Sequence, residues 1–507
     1  MHPLRRRILP LLLHPRLFAG AVLVVVLFLL LQDGFYTMDG WAHLANAQLL
    51  REVLKDRSWL EGFVQLNAAP VPNWGGHVVL ASLLAVFPPF LAEKLHWALL
   101  FAALAFGARR YLRTWMPHPD APALLLLPVL LGQLFVLGFY NFLWGVAVSL
   151  WCAAWWGGAR RSGSGNWAGL FAATVLVWCC HGSCVPFLLV LVLASELRMT
   201  TPAVWWRMGG VGLAFVPAFT ALALFDHRQQ VEGEPMMPAE GVRTIVQLQW
   251  SVWYDAQREV LLTAVLGAAL VLAVVMAARH RTEAGRRAWP LLAAAGTLLL
   301  AGFIVPDDLG YASYIGLRIA TLAMLVLVLW ALAAMPQRPW AFAVLSALAL
   351  CVVAGRLVLA AREGRQALPE REVVEHAART MRPGDLVLPI WRDDRWNMQH
   401  RVDVLGATVP LRVLENYECT KGYFPLVWSP ELPPAFRAQV GYADDRLDGM
   451  RRHLRAGSAP QVDHIVLMGP QAGTEEEAVR ALLATADSLG YVSSFAERDV
   501  RVWSRGR

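Results

Sequence analysis

The sequence predicts an α-helical polytopic membrane protein of about eleven transmembrane helices, followed by a C-terminal soluble α/β domain. Three observations carry this. The 507 residues are 57% hydrophobic and only 16% charged, with a mean hydropathy of +0.45. A soluble chain of this length needs far more charge to cover its surface. The apolar runs are continuous rather than alternating, so helices and not barrel strands satisfy the backbone in lipid. From Arg362 onward the character changes, and acids and short patterned segments collect.

This composition excludes a soluble enzyme. The net charge of +7 is carried almost wholly by Arg, in short loops between apolar runs. That is a topology signal, not nucleic-acid binding. The six cysteines, Cys152, Cys179, Cys180, Cys184, Cys351 and Cys419, show no disulfide spacing. Cys179-Cys180-His181-Gly182-Ser183-Cys184 resembles a metal motif but lacks the second ligand pair that zinc would want. Small polarizable residues at a helix end account for it. Arg5, Arg6 and Arg7 precede an apolar run with no small-residue cleavage site, which predicts an anchor and not a removable signal.

The expected spans fall near 18–31, 93–108, 121–137, 142–158, 167–182, 184–197, 205–225, 260–278, 289–305, 315–335 and 340–361. With Arg5–Arg7 cytoplasmic, the first span exits the cytoplasm. The run 76–91 is also hydrophobic. If it crossed, Arg109, Arg110 and Arg113 would lie outside. If it lies in the outer interface, this cluster, Arg160-Arg161, Arg198 with Arg207, Arg279–Arg287 and Arg338 all fall inside. Pro88-Pro89 would break a long helix there in any case. The segment 76–91 is therefore expected to be juxtamembrane, within a first outer loop 32–92. The loop 226–259, the turns near 138–141 and 305–318, and the tail 362–507 are then outside too. In the tail, Pro369–Ala378 and Glu475–Leu489 read as helices, and Asp385–Ile390 and His464–Met468 as strands.

Unusual polar residues concentrate in these outer segments. Asp39 and His43 are spaced i to i+4, and a helix over Trp41–Leu54 would put both on one face. A carboxylate with a nearby imidazole at a membrane–water boundary can take a proton from an acceptor hydroxyl or amine. In the competing reading Asp39 only caps the amphipathic helix 40–54 and His43 packs at the interface. The same loop holds Asp33, Asn46, Asn67, Asn73 and His77. A second cluster runs from Asp307 and Asp308 through Tyr311 and Tyr314 to Arg318. A guanidinium at the outer boundary suits a lipid-carried phosphate, or else snorkels to headgroups or pairs with Asp307 or Asp308. Two adjacent acids could instead hold a divalent metal ion. Lys94, beside Glu93, offers a phosphate contact or a simple interfacial pair. Tyr140, Asn141 and His181 lie at outer helix ends, where they could line a cavity. The 415–425 patch, with Glu415, Asn416, Tyr417, Glu418, Lys421, Tyr423 and Phe424, could stack on a sugar or fold back on the membrane domain, but core packing of the tail explains it more simply.

The motifs together resemble the GT-C superfamily of polytopic glycosyltransferases. The acid in the first outer loop (Met38-Asp39-Gly40-Trp41-Ala42-His43), the Pro-containing juxtamembrane run and the basic cluster at Arg109-Arg110 carry the resemblance. Architecture matches over 16–361, and sequence motifs over 33–110 and 305–318. Gly40 stands where many members have a second acid, and Asn73-Trp74-Gly75-Gly76-His77 replaces a His-Pro-Pro-Leu type run. The start Asp39-Gly40…His43-Leu44 with the tail Asn416-Tyr417-Glu418…Tyr423-Phe424-Pro425 also looks like a group of uncharacterised bacterial membrane proteins. The resemblance implies a polyprenyl-phosphate-linked sugar donor, a lipid, glycan or protein acceptor and an active site on the outer face of the cytoplasmic membrane. It implies Asp39 as general base, while Arg318, with Lys94, would steady the departing lipid phosphate and His43, His77 and His181 would shape the pocket. No nucleic acid is implied. A non-catalytic transporter, or a structural partner in envelope polysaccharide assembly, is the alternative. Transporters place charges at mid-membrane and show paired repeats, whereas the acids here sit at span ends and no repeat appears.

Overall fold

Uninterrupted apolar runs become long helices in the computed structural model, which describes residues 11–55, 58–161, 165–198, 204–229, 238–279, 283–308, 313–391, 395–437, 444–457, 461–469 and 477–506. Arg5–Arg7, Tyr311 and Glu475-Glu476 lie outside the described residues. Among the described residues, seven helices are long and apolar enough to cross a membrane, namely Pro89–Trp115, Tyr140–Arg161, Val204–Gln229, Val260–Arg279, Glu283–Ile304, Ile315–Ala334 and Pro339–Arg379. The protein is a multi-pass membrane protein. The expected count of eleven is not reached by length alone, because Arg16–Leu31, Trp167–Cys180 and Cys184–Leu197 are shorter. At 1.5 Å per residue a 14-residue helix reaches about 21 Å, against a hydrocarbon core of about 30 Å.

The run 121–137 departs most from a single span. It breaks into Asp120–Ala123, a 3-10 turn at Leu124–Leu126, Leu127–Leu130 and Gln133–Leu137. Pro122 and Pro128 remove backbone donors, Gly132 is extended at the start of the last piece, and Gly138 ends it at φ +80°. Carbonyls freed by the break need donors in an apolar setting. Arg356, fully buried, supplies them: Nη1 donates to Pro128 O at 2.5 Å and Leu131 O at 3.0 Å, and Nη2 donates to Ser251 O.

The chain divides into two units, one of Met1–Gln32 with Trp97–Ala361 and one of Asp33–His96 with Arg362–Arg507. The first holds most of the membrane helices. Among the described residues the second is built on seven strands: β1 Val64–Leu66, β2 Leu386–Trp391, β3 Arg412–Val413, β4 Leu426–Trp428, β5 His464–Met468, β6 Tyr491–Glu497 and β7 Val500–Arg505. Five form a mixed sheet in the order β3-β2-β5-β7-β6, with β2 parallel to β3 and β5 and the last two antiparallel. β2 and β5 are buried on both faces, and the period of two sorts their side chains between two cores. Leu386, Leu388, Ile390, Ile465 and Leu467 join Leu447, Met450, Val479 and Leu482 of the helices Asp444–Ala456 and Glu477–Ser488. Val387, Val466 and Met468 join Val373, Val374, Ala377 and Ala378 at the end of the Pro339–Arg379 helix.

The sequence reading grouped the loop 32–92 with the membrane helices. Its contacts group it with the tail instead. β1 pairs antiparallel with β4 through Val64–Trp428, Gln65–Val427 and Leu66–Leu426. Leu49, Leu50, Leu60 and Phe63 share a core with the sheet, and Tyr36 and Trp41 share the other. Gly34 and Gly364 approach so closely that a Cβ on either would meet the other's backbone within 3 Å. Within this loop the 76–91 run gives a ten-residue helix, Gly75–Leu84, about 15 Å long and too short to span. A new helix starts at Pro89, where a missing N–H costs nothing. The tail's expected helices and strands appear as Glu477–Ser488, β2 and β5, and Pro369–Ala378 continues the span expected at 340–361 without a break.

Candidate functional site

Asp39 sits at the N-terminus of the helix Gly40–Val53, and His43 N bonds its carbonyl at 2.9 Å. Its carboxylate makes no capping bond, contrary to the competing reading of this residue. Instead it is buried and takes a hydrogen bond from the Tyr417 hydroxyl, with His400 Nε2 at 3.5 Å from Oδ1. His400 Nδ1 lies 3.3 Å from Asp403, and the His400 ring packs on Tyr417 with centroids 4.6 Å apart. Burial raises the Asp39 carboxyl above the usual carboxylate range, against the pull of His400 and His43. His400 is raised as well, since Asp403 and Asp39 outweigh a burial that works to lower it. A buried carboxylate with raised proton affinity, beside a hydroxyl and an imidazole, is suited to accept a proton.

One turn along the same helix, His43 meets the tail. Its Nδ1 is 2.5 Å from Glu418 Oε1, and His77 Nε2 is 2.6 Å from Glu418 Oε2. Glu418 belongs to the short helix Tyr417–Lys421, whose N-cap Asn416 accepts from Cys419 N at 3.0 Å. Asn416 and Asn46 exchange side-chain bonds of 2.8 and 3.2 Å. Burial works to raise Glu418, but His77 and His43 hold it down at about 2. His43 is raised, because Glu418 and Asp39 overcome its burial. Asn73 adopts φ +71°, which Asn tolerates, and so presents its carbonyl to His77 Nδ1 at 3.1 Å. Its amide donates to Tyr423 O at 3.2 Å. Lys94 pairs with the more exposed Asp33.

The remaining expected residues lie in the membrane unit. Arg318 Nη1 donates to His181 Nε2 at 3.0 Å, while His181 Nδ1 lies 2.8 Å from Ser183 Oγ and 3.3 Å from Ser183 N. The guanidinium lies over Phe139 and Phe142, at 4.6 and 5.6 Å from the ring centroids. Asp307 accepts from Gly316 N at 2.7 Å, and Asp308 accepts from Ser313 Oγ at 3.0 Å. Tyr140 accepts from the Trp97 indole, and Asn141 is buried nearby in sequence at the start of Tyr140–Arg161. Thus Asp39, His43, Asn73, His77 and Lys94 belong to one unit, and Tyr140, Asn141, His181, Asp307, Asp308 and Arg318 to the other.

Four residues around Asp39 and His43 come from the tail. Tyr417 and Glu418 fall in the patch read as core packing, and His400 and Asp403 have no motif beyond a His-x-x-Asp spacing. Core packing is only part of their role, since Tyr417, Glu418 and His400 turn polar atoms to the first loop's carboxylate and imidazoles, and Asp403 lies against His400.

The fold has a counterpart among solved structures. ArnT from Cupriavidus metallidurans bound to undecaprenyl phosphate aligns with a TM-score of 0.55 at 12% identity, over 96% of this chain and 97% of that one. The chain shares the fold of ArnT. The apo state of ArnT aligns over the same shares at a TM-score of 0.48. No protein-family model matches the sequence, and no curated protein matches it.

Proposed function

We propose that the protein is a membrane glycosyltransferase that moves a sugar from a polyprenyl-phosphate-linked donor to an acceptor at the outer face of the cytoplasmic membrane. The reading draws on the ArnT fold and on the undecaprenyl phosphate that the ArnT structure contains. One observation carries it: the Asp39 carboxylate begins a helix without capping it and is raised in proton affinity inside a polar cluster. In the reaction an acceptor oxygen or nitrogen attacks the sugar's anomeric carbon and loses its proton to Asp39. The bond from that carbon to the phosphate oxygen breaks, and its electron pair leaves with the lipid phosphate. Tyr417 and His400 orient Asp39 and steady its charge.

The test is release of undecaprenyl phosphate by purified protein in liposomes. A panel of undecaprenyl-phosphate-linked pentoses and hexoses serves as donors, with a native membrane extract as acceptor. Asp39→Asn is expected to lower turnover about 10²- to 10⁴-fold at unchanged abundance. Full turnover in that variant, or none by the natural chain across the panel, overturns the assignment.

A further inference from the structure

His43, His77 and Glu418 are brought together from three separate stretches of chain. Their ligand-type atoms all lie within 4.8 Å of one another, in the one such group among the described residues. None of the three side chains is more than 4% exposed. We propose that this cluster is a binding site for one divalent transition metal ion, with His43 Nδ1, His77 Nε2 and a Glu418 carboxylate oxygen as ligands. Two imidazoles and one carboxylate form a zinc-type donor set, whereas a magnesium or calcium site would be built from oxygens.

The surrounding bonds support the assignment. The Asn73 carbonyl can only accept, so His77 Nδ1 donates to it, and the neutral ring then turns the Nε2 lone pair toward Glu418. A lone pair 2.6 Å from a carboxylate oxygen requires a cation between them, either a proton or a metal ion. A carbonyl on the far nitrogen is the usual partner that fixes a metal-binding imidazole in its tautomer. The backbone of Asn73 is held at φ +71° to deliver that carbonyl. Glu418 is fixed in turn by the Asn416 cap and its exchange with Asn46. The Phe424 ring flanks both imidazoles, at 6.2 Å from His43 and 5.6 Å from His77, and gives the site an apolar wall.

The geometry can open to accept an ion. Ligand bonds of about 2.0–2.2 Å in a tetrahedral site set the donor atoms about 3.3 Å apart. The 2.5 and 2.6 Å contacts must therefore widen by less than about 1 Å, which side-chain rotation supplies. Bound there, the ion would pin the helices Gly40–Val53 and Gly75–Leu84 to Tyr417–Lys421 one turn from Asp39. This stands apart from sugar transfer and is tested without it.

The full-length protein in detergent is equilibrated with zinc chloride, freed of excess and assayed for metal by mass spectrometry. Its melting temperature is followed with and without EDTA. One zinc per chain is expected, with a melting temperature that falls on chelation and recovers on zinc addition. Cobalt substitution should give the visible absorption of a four-coordinate ion. His77→Gln and Glu418→Gln are expected to cut zinc content at least tenfold, and His118→Gln, an exposed histidine, to leave it whole. A natural chain that takes up no zinc and melts at one temperature with or without EDTA overturns the proposal, whether or not the variants fold. Full zinc content in folded His77→Gln overturns it as well.

Discussion

Asn416→Ala tests whether the tail helix Tyr417–Lys421 is held in place by the first loop. The substitution removes three buried bonds: the cap to Cys419 N at 3.0 Å, the bond from Asn46 Nδ2 at 3.2 Å and the bond to Asn46 Oδ1 at 2.8 Å. Loss of an N-cap costs about 1 kcal/mol. Asn46 keeps its bond to Ala42 O at 3.0 Å, but its Oδ1 is left with only a 3.9 Å thiol contact, a penalty of about 1–3 kcal/mol. The sum is about 2–4 kcal/mol, or roughly a 30- to 900-fold rise in local opening at RT of about 0.6 kcal/mol. Hydrogen exchange followed by mass spectrometry on the solubilised protein measures this in peptides covering 417–421. Peptides from β2 and β5 serve as internal references. Asn46→Ala with Asn416→Ala should recover part of the loss, because no buried partner is orphaned, with a coupling of about 1–2 kcal/mol. Unchanged exchange in a folded Asn416→Ala chain, or strict additivity of the two substitutions, refutes the reasoning.

Two more outcomes follow from the same unit. Tyr417→Phe deletes a hydrogen bond that works to lower the Asp39 carboxyl, so Asp39 should stay protonated to higher pH. The acid limb of the undecaprenyl phosphate release profile should move upward, and an unmoved limb separates Tyr417 from Asp39. Arg401 is fully buried and donates to Asp499 at 2.5 and 3.0 Å. Burial works to raise Asp499, but Arg401 outweighs it and the carboxyl is depressed. Its stabilisation is therefore complete above the unfolded carboxylate value near ~3.9 and drains away as pH falls through the folded value. Asp499→Asn should cost about 2–3 kcal/mol at neutral pH, since Asp499 is partly exposed, and should flatten that acid dependence in thermal melts.

The sequence made the helices legible because lipid exposure forces long apolar runs into them. It also pointed to Asp39, His43 and His77, since acids and imidazoles in an apolar chain stand out by contrast. Their partners were not legible. His43 reaches Glu418 across 375 positions and His77 across 341. No local period encodes a contact of that separation. Glu418 looked like tail packing because its neighbours Cys419 and Phe424 are indeed buried. The break in 121–137 was visible in Pro122 and Pro128, but the Arg356 guanidinium that makes the break tolerable comes from more than 200 positions away.

One unit built from both the first loop and the tail restricts how the chain threads the bilayer. A folded body cannot straddle the hydrocarbon, so Asp33–His96 and Arg362–Arg507 emerge on the same face. The stretch joining them must then traverse an even number of times. The seven long helices among the described residues connect these two segments, the first starting in one and the last ending in the other, and seven is odd. If each of them traverses, an odd number of the shorter apolar helices there, Asp120–Leu130, Trp167–Cys180 and Cys184–Leu197, must do so too.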